Sequence, residues 1–319
     1  MKRILIFLSL ILITNAFLFA QENKQNEIIK VEAKTDEGFA YPYYLFVPPE
    51  LQRDAKLNKQ THTILVLPNN SGKINDSLDF HETDVKKRMA QNASFASFLK
   101  VAVLMPVFPR PEADWKIYTH ALDRDSMTTD KKEYARFDQQ LVAMIDDALE
   151  RLKKENLKFD EKVLMTGFSA SGMFVNRFAF LHPKRVKAAA IGSPGGWAIA
   201  PVANYKEKSL PYPIGVDDFK TVSGEKFDLK TLQKVPLFIF LGDEDENDSV
   251  VFRDGYEERD EKLVFELFGK TPVERWEISK TLYEQAKLNA EFKLYPGVKH
   301  TITKEMLEDI MKFLSKYAQ

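Results

Sequence analysis

The sequence predicts an α/β protein whose central sheet is mostly parallel and is covered by helices on both faces. Runs that are apolar throughout, such as THTILVL (61–67), VAVLMPV (101–107) and VPLFIFL (235–241), are typical of strands buried on both sides. Segments with an apolar residue every three or four positions separate these runs and predict amphipathic helices. Such an alternation indicates helical layers packed on a parallel sheet.

The composition is that of a globular protein with a sizeable core, with 44% hydrophobic and 29% charged residues. The 46 basic and 47 acidic residues give a formal net charge of -1, so nothing indicates a nucleic acid or an anionic surface as a partner. The absence of cysteine excludes disulfides, thiolate catalysis and zinc–thiolate sites. No cofactor and no metal site is predicted.

Residues 1–20 have the pattern of a secretory signal peptide. Lys2 and Arg3 precede a short apolar run, and Ala20 comes directly before a polar stretch. The alternative is an uncleaved anchor, but the run is short for a membrane span. We therefore expect cleavage after Ala20, a periplasmic or secreted protein without stable membrane association, and one folded domain over 21–319.

In the first half of the chain, four segments bounded by proline, glycine or polar residues are predicted as strands: 28–33, 41–47, 61–67 and 101–107. One helix is expected between residues 81 and 99. A second helix is expected to open at a capping box formed by Asp130 and Glu133. One face of that helix is apolar with a 3.6-residue period, through Phe137, Leu141, Met144, Ile145, Ala148, Leu149 and Leu152.

The second half continues the alternation, with strands predicted at 162–168, 186–191, 235–241 and 291–295. A helix is expected over 274–288, and a terminal helix buries Met306, Ile310, Phe313 and Leu314. Residues 193–234 break this rhythm, because they contain several prolines and show no strong periodicity. This segment is predicted to be a loop-rich insertion that covers one end of the sheet.

Residues 162–172 (KVLMTGFSASG) predict a buried strand that turns sharply into a helix, with Ser169 at the corner. Gly167 and Ser171 flank Ser169 at two residues on either side, where the turn requires small side chains. This is the arrangement of a nucleophile elbow, G-x-S-x-G, with Ser171 in place of the last glycine and Gly172 one step later. The string alone could arise by chance, so its context carries the prediction.

A serine hydroxyl is a poor nucleophile at neutral pH and needs a base within hydrogen-bond reach. Of the five histidines, His300 is the best candidate, because it follows the last predicted strand and precedes the terminal helix. His120 is its rival, since it lies in a loop rich in aromatic and polar residues. His62 and His81 are poorly placed, and His182 at a helix end is expected to be structural.

A carboxylate that orients the imidazole is expected after the strand 235–241. Asp245 lies three residues past Gly242, and Asp243 and Asp248 are close enough to be alternatives. A different interpretation of this stretch is a calcium-binding loop formed by Asp243, Asp245, Asn247, Ser249 and Asp254. That loop lacks the glycine at the sixth position and the final glutamate of the usual motif.

Polar residues follow four of the predicted strands: Asn70, Ser169, Asp245 and His300. In parallel sheets, chemistry collects in the loops at the carboxyl ends of the strands. The shared placement therefore predicts one site at this edge of the sheet.

From about residue 60 onward the chain resembles the α/β-hydrolases, through the strings GFSASG (167–172), LGDED (241–245) and GVKH (297–300). Within that superfamily it is similar to exported esterases of the polyhydroxyalkanoate depolymerase and feruloyl esterase kind. The resemblance implies a Ser169–Asp245–His300 triad, since this fold orders its triad as serine, acid and histidine along the chain. It favours His300 over His120 for the same reason.

An acyl-transfer site also needs N–H donors where the oxyanion forms. The N–H of Ala170, at a helix start, supplies one. The resemblance places the other after the strand 61–67, at Asn70 or Asn69. Trp115, His120 and Trp197 in the long loops are expected to contact substrate, although aromatic loop residues are as often packing residues.

The sequence thus predicts an exported serine hydrolase that cleaves carboxylic esters, small or linked to a polymer. A serine peptidase on the same fold is one alternative. Another is an inactive hydrolase fold that binds a glycan or polymer, although a binding module has no need of the three matched residues.

Overall fold

The computed structural model describes residues 28–51, 53, 60–68 and 72–318, and within them eight strands form one central sheet. The order across the sheet is β1-β2-β4-β3-β5-β6-β9-β10, and the pairs from β4 to β10 are parallel. The antiparallel pairs join β1 to β2 and β2 to β4. The strands are β1 Ile29–Val31, β2 Tyr43–Phe46, β3 Ile64–Val66, β4 Ala102–Pro106, β5 Val163–Phe168, β6 Val186–Gly192, β9 Leu237–Gly242 and β10 Ala290–Tyr295, with a separate hairpin β7 Asn204–Tyr205 and β8 Lys208–Ser209.

Helices fill most of the connections between the strands. In chain order they are α1 Leu78–Leu99, α2 Arg124–Thr128, α3 Phe137–Lys154, α4 Ala170–Leu181, α5 Phe219–Ser223, α6 Leu229–Leu232, α7 Ser249–Phe252, α8 Glu258–Leu267, α9 Pro272–Gln285 and α10 Lys304–Ser315.

The two faces of the sheet bury separate apolar layers. Alternate residues of β2 show this division, because Tyr43 belongs to the layer that contains α3, α4 and α9, while Tyr44 belongs to the layer that contains α1 and α10. The α/β class with a mostly parallel, doubly covered sheet is therefore confirmed. Of the described residues, no helix is both long and apolar enough to cross a membrane.

The predicted start of the helix at Asp130 is wrong. The structure has a short 3-10 turn at Lys132–Tyr134, and α3 begins at Phe137 after Arg136, whose φ is 54°. Left-handed backbone at that position ends any continuous helix. The apolar face predicted for α3 is confirmed from Phe137 onward.

The segment 193–234 lies between β6 and β9 and leaves their parallel pairing intact. It contains the β7–β8 hairpin and the two short helices α5 and α6. Ile199 N–H donates to Asn176 Oδ1 at 3.0 Å, which ties the segment to α4. The signal peptide predicted at 1–20, by contrast, lies outside the described residues.

Candidate active site

The corner between β5 and α4 has the strained geometry that a nucleophile elbow requires. Ser169 has φ 61° and ψ -128°, a conformation that costs energy for a residue with a Cβ. A Cβ at position 167 would lie 2.3 Å from the carbonyl oxygen of Ser171, so Gly167 is required there. A Cβ at position 172 would lie 2.1 Å from the carbonyl oxygen of Gly192, so Gly172 lets α4 pack closely on β6.

Ser171, which replaces the usual glycine, fits the turn and stabilises it. Its hydroxyl accepts a hydrogen bond from Phe168 N at 3.0 Å and donates one to Phe168 O at 2.9 Å. The hydroxyl thus bonds both backbone groups of the residue before the nucleophile. The departure from the usual motif leaves the shape of the elbow unchanged.

Ser169, His300 and Asp245 form a continuous chain of hydrogen bonds at the carboxyl edge of the sheet. His300 Nε2 lies 3.0 Å from Ser169 Oγ. His300 Nδ1 lies 3.0 Å from Asp245 Oδ1 and 2.9 Å from Oδ2. Because a carboxylate only accepts, Nδ1 donates to Asp245, and Nε2 is the ring nitrogen that faces the serine hydroxyl.

Asp245 is buried, with 2% of its surface exposed, and has further donors besides His300. Ser193 Oγ donates to its Oδ2 at 2.7 Å, and Asn247 N donates to its Oδ1 at 3.0 Å. Burial by itself raises the pKa of Asp245, but the hydrogen bonds from His300, Ser193 and Asn247 together bring the pKa below its ordinary value. Asp245 is therefore held as a carboxylate.

Ser193 is a member of this site that sequence reasoning missed. It directly follows β6, is 3% exposed, and has a φ of 41°. Its position at the end of a strand, on the same edge as Ser169 and Asp245, was the one sequence signal that could have indicated it.

The loops that carry the acid and the histidine are bonded to each other. Asp243 Oδ1 accepts from Gly297 N at 2.6 Å, and Glu244 N donates to Val298 O at 3.0 Å. A Cβ at Gly242 would lie 2.0 Å from Val298 O, so the two backbones touch at this point. This contact fixes the distance between Asp245 and His300.

Asp248, the alternative acid, has a different partner. Arg275 Nη1 donates to Asp248 Oδ1 at 2.9 Å, and Arg275 Nη2 lies 2.9 Å from Asp248 Oδ2 in the same ion pair, in which both side chains are at most 5% exposed. Asp248 Oδ1 also accepts from Val250 N at the start of α7. Among the described residues, no group of three or more His, Asp or Glu side chains is arranged to hold a metal ion. The carboxylates of the suggested calcium loop diverge to separate partners.

His120 does not lie at the site, and its predicted contact with substrate is corrected. Its side chain is fully buried, and Nε2 donates to Phe108 O at 2.7 Å. Burial lowers the pKa of His120 to about 3, so the ring stays neutral. His182, expected to be structural, lies at the far end of α4 with its Nε2 at 2.8 Å from Asp138 Oδ2.

Trp197 is also corrected, because it packs inside the molecule. It is 3% exposed, stacks on Phe268 with ring centroids 4.1 Å apart, and donates from Nε1 to Ile214 O at 2.9 Å. Trp115 is 39% exposed and stays available to a ligand.

For the oxyanion donors, the structure places Ala170 at the first position of α4, where the N–H has no partner within the helix. Asn70 and Asn69 lie outside the described residues, so the second predicted donor stays a prediction.

No protein-family model matches the chain, and no curated protein matches it. Solved structures do match its fold. A poly(aspartic acid) hydrolase from Sphingomonas sp. KT-1 gives a TM-score of 0.58 at 18% identity, over 90% of this chain and 98% of the other. A poly(3-hydroxybutyrate) depolymerase from Bordetella parapertussis gives 0.50 at 16% identity, over 91% and 88%. An S-formylglutathione hydrolase from Agrobacterium tumefaciens gives 0.50 at 12% identity, over 92% and 95%.

The chain has the α/β-hydrolase fold. A ferulic acid esterase also matches, with a TM-score of 0.50 at 13% identity over 92% of this chain and 99% of the other. The resemblance read from the three sequence strings is therefore confirmed at the level of the fold.

Two cavities of this α/β-hydrolase fold differ in polarity, and the second of them is lined by residues of the elbow. The first, the charged cleft, has a volume of about 520 Å³ and is lined by Trp115, Lys116, Asp123, Arg124, Asp125 and residues 252–258. Two residues of its wall contact neighbouring elements, because Gly255 lies against Met173 of α4 and Asp254 is paired at 3.3 Å with Arg110. Arg110 Nη1 in turn donates to the backbone oxygen of Gly72, six residues after the end of β3, at 3.2 Å.

The second, the elbow cavity, has a volume of about 280 Å³ and lies between α1, α10 and the end of β5. It is lined mainly by apolar side chains, including Leu67, Phe95, Met105, Phe168, Phe240, Leu307 and Ile310.

Proposed function

We propose that this protein is a serine hydrolase that cleaves carboxylic esters through an acyl-enzyme. The observation that carries the proposal is the chain of hydrogen bonds from Ser169 through His300 to Asp245, with every distance between 2.9 and 3.0 Å. Nucleophile, base and orienting carboxylate within hydrogen-bond reach are the features by which such a site is recognised.

In the first step, Ser169 Oγ attacks the ester carbonyl carbon and His300 Nε2 takes the hydroxyl proton. The resulting imidazolium is stabilised by the buried carboxylate of Asp245. The carbonyl oxygen becomes an oxyanion, and the N–H of Ala170 donates to it together with a second N–H expected from the turn after β3. His300 then returns the proton to the leaving alkoxide, so an alcohol departs and the acyl group stays on Ser169.

In the second step, water replaces the alcohol. His300 Nε2 accepts a proton from the water as its oxygen attacks the acyl carbon, and a second oxyanion forms in the same place. Collapse of this intermediate breaks the bond to Ser169 Oγ, and His300 gives the proton back to the serine. The net reaction consumes an ester and water and yields an acid and an alcohol.

The charged cleft supports a role for Trp115 at the leaving-group side. The cleft wall contacts α4 through Gly255 and Met173, and its Asp254 pairs with Arg110, which donates to Gly72 O. Trp115 and Phe252 at its rim are 39% and 61% exposed, and exposed aromatic side chains of this kind can cover an aryl or sugar group. We place the alcohol portion of the ester there.

The choice of an ester substrate draws on the relatives in fold. A ferulic acid esterase and a poly(3-hydroxybutyrate) depolymerase share it, while a poly(aspartic acid) hydrolase keeps amide cleavage as the alternative. The signal-peptide pattern supports export, with a mature chain that begins at Gln21, in the periplasm or outside the cell.

The proposal is tested by labelling the purified protein with a fluorophosphonate and by measuring turnover of short aryl esters and of a matched amide. We expect modification at Ser169, ester hydrolysis, and loss of both in Ser169→Ala with little change in the thermal unfolding midpoint. Ser315→Ala removes an exposed serine at the end of α10 and serves as the control. Full activity in Ser169→Ala would disprove the assignment of the nucleophile, and amide turnover that exceeds ester turnover would make the enzyme a peptidase.

A further inference from the structure

The elbow cavity lies over the end of a strand in the middle of the sheet. β5 lies in the interior of the sheet between β3 and β6, and its first three residues are buried. Its last three, Thr166, Gly167 and Phe168, are partly exposed. Parallel strands in the middle of a sheet are ordinarily covered on both faces, so α1 and α10 part over the end of this strand.

The cavity is suited to an apolar ligand. Of the described residues that line it, Arg88 alone carries a charge, and its Nε donates to Asp84 at 2.6 Å. The charge is therefore already balanced at the mouth. Inside, Met105 and Phe240 are at most 2% exposed and form an apolar wall. By contrast, the charged cleft is lined by several acidic and basic side chains.

The position of the cavity connects it to the reacting atoms. Gly167, Phe168 and Ser171 of the elbow belong to its lining, and so does Pro68, two residues after the end of β3. The Phe168 ring lines the cavity and also packs on the His300 ring, with centroids 4.8 Å apart. A group that extends from the acyl carbon on Ser169 past Phe168 would therefore enter this space.

We infer that the elbow cavity holds the apolar acyl part of the ester, an aliphatic chain of medium length. This inference rests on the proposed function. Because a water molecule occupies about 30 Å³ and a methylene is of similar size, the cavity accommodates roughly eight heavy atoms. Each methylene that moves from water into the cavity contributes about fourfold to kcat/KM.

The variant that tests this is Leu307→Trp, which places an indole at the rim. Leu307 is 45% exposed, so the ring can be added without disturbing the core, and Ile302→Trp, at a residue 41% exposed on the same rim, is a second version. Glu308→Trp adds the same ring on the same helix at an exposed residue outside the cavity. Circular dichroism and thermal unfolding establish that each variant is folded.

The measurement is the ratio of kcat/KM for an octanoyl ester to that for an acetyl ester of the same aryl alcohol. We expect the rim variants to lower this ratio at least tenfold, through the octanoyl ester, because the indole displaces two or more methylenes. Glu308→Trp should leave it within twofold of the parent. A ratio unchanged in folded Leu307→Trp and Ile302→Trp would overturn the inference.

The affinity of octanoate for the Ser169→Ala variant, measured by isothermal titration calorimetry, separates this inference from the proposed function. Octanoate should bind Ser169→Ala, and adding Leu307→Trp should weaken binding at least tenfold. If no ester is hydrolysed by the parent but octanoate binds with this dependence, the proposed function fails and the cavity still takes an acyl chain. If esters are hydrolysed and octanoate does not bind at millimolar concentration, the inference alone fails.

Discussion

An aspartate–histidine pair lies near each end of helix α4, and the two pairs have different surroundings. At its start, His300 bonds Asp245 through Nδ1 and faces Ser169 through Nε2. At its end, His182 bonds Asp138 through Nε2 at 2.8 Å. Each imidazole also packs on a phenylalanine, with centroids 4.8 Å apart for His300 and 4.9 Å for His182.

The difference lies in the third partner of each pair. Asp138 also accepts two hydrogen bonds from Arg136, each at 2.9 Å, so a guanidinium already balances its charge. Asp245 has the neutral donors Ser193 and Asn247, and its charge is balanced only when His300 is protonated. A carboxylate with a permanent cation stabilises the fold, whereas a carboxylate with neutral donors suits the proposed reaction, in which His300 gains a proton.

The largest effect is expected from Asp245→Asn. An amide no longer fixes the proton on His300 Nδ1, and in comparable sites this change lowers kcat about 10⁴-fold. Aryl ester turnover of the purified variant measures it. Asp248→Asn is the matched control, because it alters a buried carboxylate of the same loop that pairs with Arg275. If Asp248→Asn is inactive per folded molecule while Asp245→Asn stays active, the roles of the two aspartates are reversed.

Asp138→Asn should lower the stability of the protein and leave its activity nearly unchanged. Removing one partner of a buried ion pair costs about 3–5 kcal/mol of unfolding free energy, and both Arg136 and His182 would lose their partner. Urea unfolding followed by fluorescence measures the loss. Turnover per folded molecule should stay within about twofold of the parent, and a 10³-fold loss there would show that this pair also takes part in the reaction.

A smaller effect is expected from Ser193→Ala. The hydroxyl donates to Asp245 at 2.7 Å, and a hydrogen bond to a charged group contributes about 1.5–3 kcal/mol. The variant should therefore lose between about tenfold and 100-fold in kcat. Ser223→Ala removes another buried hydroxyl, which donates to Phe219 O at 2.7 Å, and should leave kcat unchanged. Equal kcat in Ser193→Ala and the parent would rule out Ser193 as a positioning residue.

The smallest expected effect is on the pH dependence of stability at acidic pH. Burial raises the pKa of Asp138, but hydrogen bonds from Arg136 and His182 outweigh it and lower the pKa to about 2. A lowered folded-state pKa stabilises the protein above the unfolded value, near 3.9, and the contribution is lost as the pH falls toward 2. The stability difference between the parent and Asp138→Asn should therefore shrink by roughly 2 kcal/mol from pH 6 to pH 2. A difference independent of pH would contradict the pairing.

Local patterns were sufficient to predict the class of fold and the position of the elbow. Strands such as β4 and β9 are apolar throughout because both of their faces are buried. A run of consecutive apolar residues is therefore enough to predict them. The turn at Ser169 likewise depends on its near neighbours, since a side chain at Gly167 would meet Ser171. The predicted start of α3 was wrong because the left-handed backbone at Arg136 has no counterpart in the periodicity of apolar residues.

What the sequence by itself determined was therefore the order of strands and helices along the chain, the elbow, and a short set of candidate acids and bases. Only the tertiary structure decided among them, because Asp245, Ser193 and His300 come from three different strand ends and meet through sheet order. Burial decided the rest: His120 and Trp197 have the residue types of a binding site, but packing encloses them. A residue's type is a property of one position, whereas its distance from a partner and its exposure depend on the whole fold.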